Sequence, residues 1–419
     1  MKRVGLLLLC ALAMEYARAQ DTLSVSLSKV QQDFLSNNLD LIAQRYNMDA
    51  ADALVKQAKL FANPSFSASR EAYSGEKKKF FDMSNQAEYS LQLQQLFSIA
   101  GKRRNQIELA KIGYKVSELS YIDLMRNLKY QLASTFYQLY FLQQSELLFD
   151  EELSSIVSIV KGYQEQKEKG NVAAKDFLRM VALKESLEHQ KVEVGAQVVA
   201  LEHDLNLLLH TSHKVYRPIL DEGWQQQASS ISLPPLGALI DSASANRPDV
   251  QIAQQNLLMA QQNIKMQRSL AVPDVTFGAQ YDRVGGPTKK YVGLSASFDL
   301  PFFNRNQGNI SAAKASANAA QAQLDAQSNR AIEDIASSYQ ILAQYQKAIG
   351  KSDSTFISSY KGLIDAAKGQ YLRHNMSLVE FLDLYDSYKE NRLDWNDRWM
   401  KYQLAKEELN FHVGASIVK

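Results

Sequence analysis

Two carboxylates three residues apart, Glu380 and Asp383, are the residues in this sequence whose type and spacing most readily suggest chemistry. On a helix that spacing puts both on one face. Repeated around a narrow opening by oligomerisation, they would form rings of negative charge that favour cations and slow anions. The same pair also suits an ordinary solvated helix surface, where most acids reside. His210 and His213 lie three apart near a helix end, without the cysteine or carboxylate partners that complete a metal site, so no metal is assigned. Met259 and Met266 recur at seven, a spacing open to a soft-metal path and, more simply, to core packing. Gly101-Lys102-Arg103 lacks the spacing of a phosphate-binding loop, and neither GxSxG nor HExxH occurs. The sequence therefore offers no catalytic constellation and no cofactor site, and the expectation is a protein that is not an enzyme.

The elements that position these residues follow from composition. The 419 residues carry 47 bases against 45 acids, too even a balance to hold a polyanion, so nucleic acid is not an expected partner. Only 18 glycines and eight prolines occur, fewer breakers than usual, which points to long helices. Mean hydropathy is −0.30, and no apolar run reaches the ~18 residues of a membrane helix. Met1–Ala19 reads as a secretory signal: Lys2 and Arg3, an apolar stretch from Val4 to Met14, then Ala17-Arg18-Ala19. Its removal takes away Lys2, Arg3, Arg18, Glu15 and the sole cysteine, Cys10, leaving an electroneutral mature chain without disulfides. That fits a Gram-negative envelope protein better than a disulfide-stapled secreted domain.

The chain repeats itself at a nearly constant offset of about 200 residues. Asn63-Pro64-Ser65-Phe66 matches Val272-Pro273-Asp274-Val275, Phe97–Lys111 matches Leu300–Lys314, and Gly170–Leu178 matches His374–Leu382. The predicted organisation is a first repeat over 20–210, a linking segment over 211–235 and a second repeat over 236–419. Each repeat switches from helical to alternating periodicity and back, giving strands at about 65–73, 86–97, 274–283 and 290–300. One face of these strands is apolar and the other polar, with Val292, Leu294, Ala296 and Phe298 against Tyr291, Gly293, Ser295 and Ser297. That pattern suits a transmembrane β-barrel, and it suits a half-buried soluble sheet as well. Helical hairpins at about 103–210 and 302–413 follow, the second opening with Pro301 at its first position, where a missing N–H costs nothing. Leu109, Ile112, Val116 and Leu119 form a coiled-coil-like seam whose counterpart is Ala312, Ala315, Ala319, Ala322 and Ala326, read as staves of a tightly packed wall.

Four strands cannot close a barrel, and open edges in lipid would leave backbone groups unpaired. Two, three or four copies must therefore combine. At this level the order of elements resembles the TolC-like outer-membrane efflux factor family. Leu300–Ile310 resembles the strand-to-helix motif of its heavy-metal efflux branch, with Pro301, Phe303, Asn304, Arg305 and Gly308 at the junction; Tyr371–Asp383 resembles the family's periplasmic tip. The resemblance implies a mainly helical fold with transmembrane strands. In it a homotrimer builds a twelve-stranded outer-membrane β-barrel continued by a twelve-helix periplasmic α-barrel, girdled by an equatorial region that includes 211–240 and the C-terminus. It implies a passive exit duct of a tripartite pump, embedded in outer-membrane lipid and partnered by a periplasmic adaptor and an inner-membrane RND-type transporter. Glu380 and Asp383 match the acids that constrict the family's entrance. Gly170, Asn171, Asp176, Phe177 and Leu178, with His374, Asn375, Ser377, Phe381 and Leu382, would dock the adaptor. Two departures stand out: His374 replaces the family's turn glycine, with Asn375 beside it able to adopt φ > 0, and no N-terminal lipid anchor is expected. A duct for type I protein secretion is the rival of the same fold. A periplasmic adaptor or coiled-coil protein is the rival from another class, disfavoured because two hairpins each follow a strand pair.

Overall fold

The computed structural model describes residues 22–74, 78–81, 87–170, 172–283, 290–350, 354–373 and 375–418. The export signal, Asn171 and His374 lie outside the described residues. In chain order the elements are β1 (Thr22–Val25), α1 (Leu27–Asn37), α2 (Leu39–Ala58), β2 (Ser65–Arg70), β3 (Tyr73–Ser74), β4 (Lys79–Phe80), β5 (Tyr89–Phe97), α3 (Lys102–Glu168) and α4 (Ala174–Leu209). There follow β6 (Val215–Pro218), α5 (Trp224–Ser230), α6 (Leu236–Asn246), α7 (Pro248–Leu270), β7 (Val275–Asp282), β8 (Tyr291–Ser297), α8 (Gln307–Gly350), α9 (Ser354–Leu372) and α10 (Leu378–Val413). None of the described helices is long and apolar enough to cross a membrane.

The chain divides into two compact units, each drawing on both halves of the sequence. The sheet unit comprises Ala43–Asp123 and Pro248–Arg330. Its four strands pair antiparallel in the order β2-β5-β7-β8, so the central pair joins strands from opposite halves. The register lines up Phe66, Leu93, Ala279 and Leu294 in one row across the sheet, and Ala68, Leu91, Tyr281 and Val292 in another. The intervening row is Ser67, Gln92, Gln280 and Gly293, which is the period-2 alternation made physical. The apolar rows are uncovered on this chain: Leu294 is 87% exposed, and Phe66, Leu93 and Val292 are exposed with it. At Gly278, on the polar face, a Cβ would lie 2.6 Å from the Ser295 hydroxyl, so a larger residue there would make the Ser295 side chain turn aside.

Both strand-to-helix junctions are tied to α7 and its neighbours. The Lys102 ammonium, almost fully buried, pairs with the Asp274 carboxylate at 2.7 Å, and that carboxylate also accepts from the Ile99 backbone N–H at 3.3 Å. In the second junction the helix begins at Gln307 rather than at Phe302, so Pro301 is not a first-turn proline. The cause is Asn306, which sits at φ 57 and donates through its side chain to the Gln267 carbonyl at 2.8 Å and amide oxygen at 2.9 Å. Pro301, Phe303, Asn304 and Arg305 form the exposed loop ahead of it, with the Asn304 side chain accepting from Asn306 N–H at 3.0 Å; Gly308 lies in the first turn of α8. Two further expectations are corrected. The first strand ends at Arg70, where its apolar alternation breaks, and β3 pairs separately with β4. The second long helix is described over Gln307–Gly350 (α8) and Ser354–Leu372 (α9), and 351–353 lie outside the described residues. The buried alanines of α8 are Ala313, Ala317, Ala320 and Ala331, whereas Ala312, Ala315, Ala319, Ala322 and Ala326 are exposed on this chain.

The helical unit comprises the described residues up to Ile42 with Leu124–Arg247 and from Ala331 onward. Its larger core sets Trp399, Tyr402, Ala405, Leu409 and Val413 of α10 beside Ile335, Leu342 and Ile349 of α8, whose spacing of seven keeps them on one stripe. Asn38 joins α2 to α4, donating to the Leu208 carbonyl at 3.0 Å while its oxygen caps Leu41 N–H at 3.0 Å. Gly414, at φ 77, ends α10 where a Cβ would press within 2.9 Å of the Asn246 carbonyl.

Candidate functional site at the helical tip

A second core in the helical unit organises the tip. Phe149, Ile156 and Ile159 of α3, Met180 and Leu187 of α4, Tyr371 of α9, and Leu378, Phe381 and Tyr385 of α10 pack together. Tyr371 is the centre of an aromatic stack, with Phe381 at 4.6 Å and 8° on one side and Tyr163 at 5.5 Å and 14° on the other. Burial pushes the Tyr371 phenol well above its ordinary range, so it stays neutral.

The turn between α3 and α4 passes through Gly170 at φ 76, a conformation that costs glycine nothing. Phe177 is half-buried beneath the Lys167 ammonium, 4.6 Å from its ring centre. Asp176 is half-buried, and Leu178 is 62% exposed. α4 starts at Ala174, and its N-cap residue, Ala173, supplies no side-chain cap.

α10 starts differently. Ser377 accepts from Glu380 N–H at 3.2 Å while Ser377 N–H donates to the Glu380 carboxylate at 2.9 Å, a complete capping box. The hydrogen bond from the Ser377 backbone, followed by that with its side chain, holds the Glu380 carboxyl below its ordinary range. Glu380 therefore stays ionised and has a structural duty at the start of the helix. Asp383, one turn on, is exposed and makes no such bond to the turn. Asn375 is exposed and secured to Gln370 by its backbone N–H at 3.0 Å and its side chain at 3.2 Å.

One docking residue is corrected. Phe381 is 1% exposed and serves the aromatic stack, so its ring is not available to a partner; Leu382 is half-buried against the same core. Ser377, Asn375 and Leu178 remain accessible, joined by Val379, which the sequence reading missed although it stands next to Glu380 on the same first turn. The Ser377-Leu378-Val379-Glu380 pattern was the sequence signal for the cap. Also missed was Glu152, buried behind the stack among Glu151, Asp365, Lys361, Lys368 and Tyr385; burial raises its carboxyl above the ordinary value of 4.5. His210 and His213 both adopt positive φ, and among the described residues no cluster of metal-ligating side chains occurs.

A family model described as outer membrane efflux protein matches residues 30–209 and 239–414. Among solved structures, the chain is similar to CusC, with 17% identity and a TM-score of 0.76 over 93% of this chain and 92% of that one. It is similar to the Campylobacter jejuni CmeC outer membrane channel, with 19% identity and a TM-score of 0.75 over 94% and 87%. It is also similar to the Vibrio cholerae outer membrane protein VceC, with 16% identity and a TM-score of 0.74 over 94% and 97%. No curated protein sequence matches it.

Proposed function

Because the chain belongs to the outer membrane efflux protein family and is thus an outer-membrane exit duct of a tripartite efflux system, we propose that it acts as a homotrimer whose periplasmic entrance is filtered by Glu380 and Asp383. The observation that carries this reading is the four-stranded sheet itself. Its apolar rows are exposed and its outer strands, β2 and β8, have no further described partner, which suits closure with copies of the same sheet. Three copies of each acid make six carboxylates at one constriction, a field that admits cations ahead of anions. The exposed tip residues Leu178, Val379, Asn375 and Ser377 then receive the helical hairpin of a periplasmic adaptor, and the energy comes from an inner-membrane RND-type transporter. Metal ions or small toxic compounds are the proposed cargo, by resemblance of the Leu300–Ile310 motif.

Planar-bilayer recording tests the filter. Glu380→Gln keeps the capping box, which accepts Gln as well as Glu, and Asp383→Asn is nearly isosteric, so the pair removes charge and leaves the turn. The double variant should lose cation preference, most visibly below ~0.1 M salt, where screening reaches only beyond about 10 Å. Unchanged selectivity and divalent-cation block would show that the two acids are merely solvated helix-surface groups.

A further inference from the structure

The end of the sheet from which α3 and α8 leave is built from four segments, 59–63, 97–105, 265–275 and 298–306. Hydrogen bonds hold them together: Arg103 donates to the Lys59 carbonyl at 3.1 Å, Asn105 to the Lys265 carbonyl at 3.4 Å, and Asn306 to the Gln267 carbonyl at 2.8 Å. Large apolar side chains stay uncovered here. Phe303 is 95% exposed and Phe61 73%, and Phe298, Leu300 and Phe302 are exposed with them. A surface that meets only water seldom leaves so many together. They continue the apolar face of the sheet, since Phe97 shares the alternation of Leu91 and Leu93 and meets the Phe277 ring at 5.7 Å. Gln95, the polar residue in that alternation, donates its amide to the Ala62 and Leu96 carbonyls at 2.9 and 3.0 Å.

Charge at this end is one-sided. The four segments hold seven bases and two acids, in a chain that is otherwise nearly balanced. Lys102 and Asp274 neutralise each other at 2.7 Å, and Arg103 lies over the Phe61 ring at 3.8 Å. The remaining five bases, Lys59, Arg104, Lys265, Arg268 and Arg305, are exposed, against one exposed acid, Asp299. Depth follows from the strand. The opposite end of the same face carries Tyr89 and Tyr281, their ring centres 5.9 Å apart. The nine residues of β5 from Tyr89 to Phe97 advance ~26 Å, which a barrel tilt of ~40° turns into ~20 Å of height. The apolar band of an outer-membrane barrel is ~25 Å tall between aromatic girdles, so it ends near Phe97. Phe61, Phe302 and Phe303 then stand at headgroup depth.

We propose that this end of the sheet binds anionic phospholipid of the periplasmic leaflet, with Phe61, Phe302 and Phe303 among the headgroups and the five exposed bases on their phosphates. The proposal rests on the placement of the sheet in the outer membrane. A zwitterionic lipid covers the rings and brings no net counter-charge. A soluble acidic partner answers the bases and leaves the rings in water. An anionic headgroup on acyl chains satisfies both.

The only cysteine, Cys10, belongs to the export signal, so Phe303→Cys and Leu294→Cys each carry a single spin label. In phosphatidylcholine vesicles containing phosphatidylglycerol, collision with oxygen and with a water-soluble nickel complex should place the Phe303 label at the headgroups and the Leu294 label in the hydrocarbon. Native mass spectrometry of the detergent-purified protein, titrated with the two lipids, reads selectivity. Each base at an anionic lipid surface changes partition about 5-fold. Arg104→Gln, Arg268→Gln and Arg305→Gln together should therefore lower the preference for phosphatidylglycerol at least ~10-fold, and Arg179→Gln, on α4, should leave it unchanged. Equal binding of the two lipids by the wild type, or a preference kept within ~2-fold in the triple variant, overturns the proposal. So does a Phe303 label in water beside a Leu294 label in hydrocarbon, which would hand the bases to a soluble acidic partner. Both labels in water would refute the placement of the sheet in lipid, and the proposal with it.

Discussion

Leu294 occupies the middle of β8 and is 87% exposed in a row with Phe66, Leu93 and Ala279. If that row meets lipid, Leu294→Arg puts a guanidinium near the bilayer midplane, where arginine on the lipid face of a barrel costs about 2–4 kcal/mol. A trimer carries the change three times, so the assembled barrel loses roughly 6–12 kcal/mol, comparable to the whole stability of an ordinary domain. Ser67→Arg provides the control: Ser67 belongs to the intervening polar row, opposite Gln92, where the lumen of a barrel would keep the charge hydrated. The assay is heat-modifiable migration of outer-membrane fractions, with the melting temperature of the folded band as the measured quantity. Leu294→Arg should deplete the folded band or lower its melting temperature sharply, and Ser67→Arg should leave both near wild type. Equal tolerance of the two variants, or a reversed order, would refute the assignment of the apolar rows to lipid.

Two other outcomes follow from the tip. Glu152 has a folded-state pKa raised by burial, so its favourable contribution is present below the unfolded glutamate value and is lost as pH rises through the folded one; Glu152→Gln should melt higher than wild type at pH 7, with the gap closing in acid below the ordinary 4.5. A pH-independent difference in melting temperature would contradict it. Leu178→Cys, on the exposed shoulder of the first tip turn, should crosslink to the adaptor in cells, whereas Phe381→Cys, inside the aromatic stack, should not; the opposite pattern would place docking elsewhere.

Strand faces and helix order were legible because they depend on local periodicity. Val292 and Leu294 alternate with Gly293 and Ser295 whatever the strands pair with, and Gly170 marks its turn by its conformational freedom alone. What depended on non-local partners was not legible. Pro301 has the chemistry of a first-turn residue, yet the helix starts at Gln307 because Asn306 is bonded to Gln267, some forty residues earlier in the chain. The alanines that α8 buries against its own chain are others than the expected stripe, since alanine lines several faces of α8 and composition does not say which face meets its own chain. Phe381 looked like a docking residue from its place in the tip motif; only the stack with Tyr371 and Tyr163 reveals it as core. Glu380 was read for its charge, while its spacing from Ser377 already encoded a cap.

The pairing of β5 with β7 has a consequence in time. Gln92 meets Gln280, a separation of roughly 190 residues, so the inner strand of the first half waits for most of the remaining chain before its second edge is covered. Contacts this distant in sequence form slowly, and until they form the strand presents an open ladder of N–H and C=O groups to its surroundings. During export, therefore, the first half emerges with its sheet unfinished. Ser90, Gln92 and Gln94 make alternate positions of that waiting strand polar, and the order in which the two halves emerge becomes part of what the sequence must accommodate.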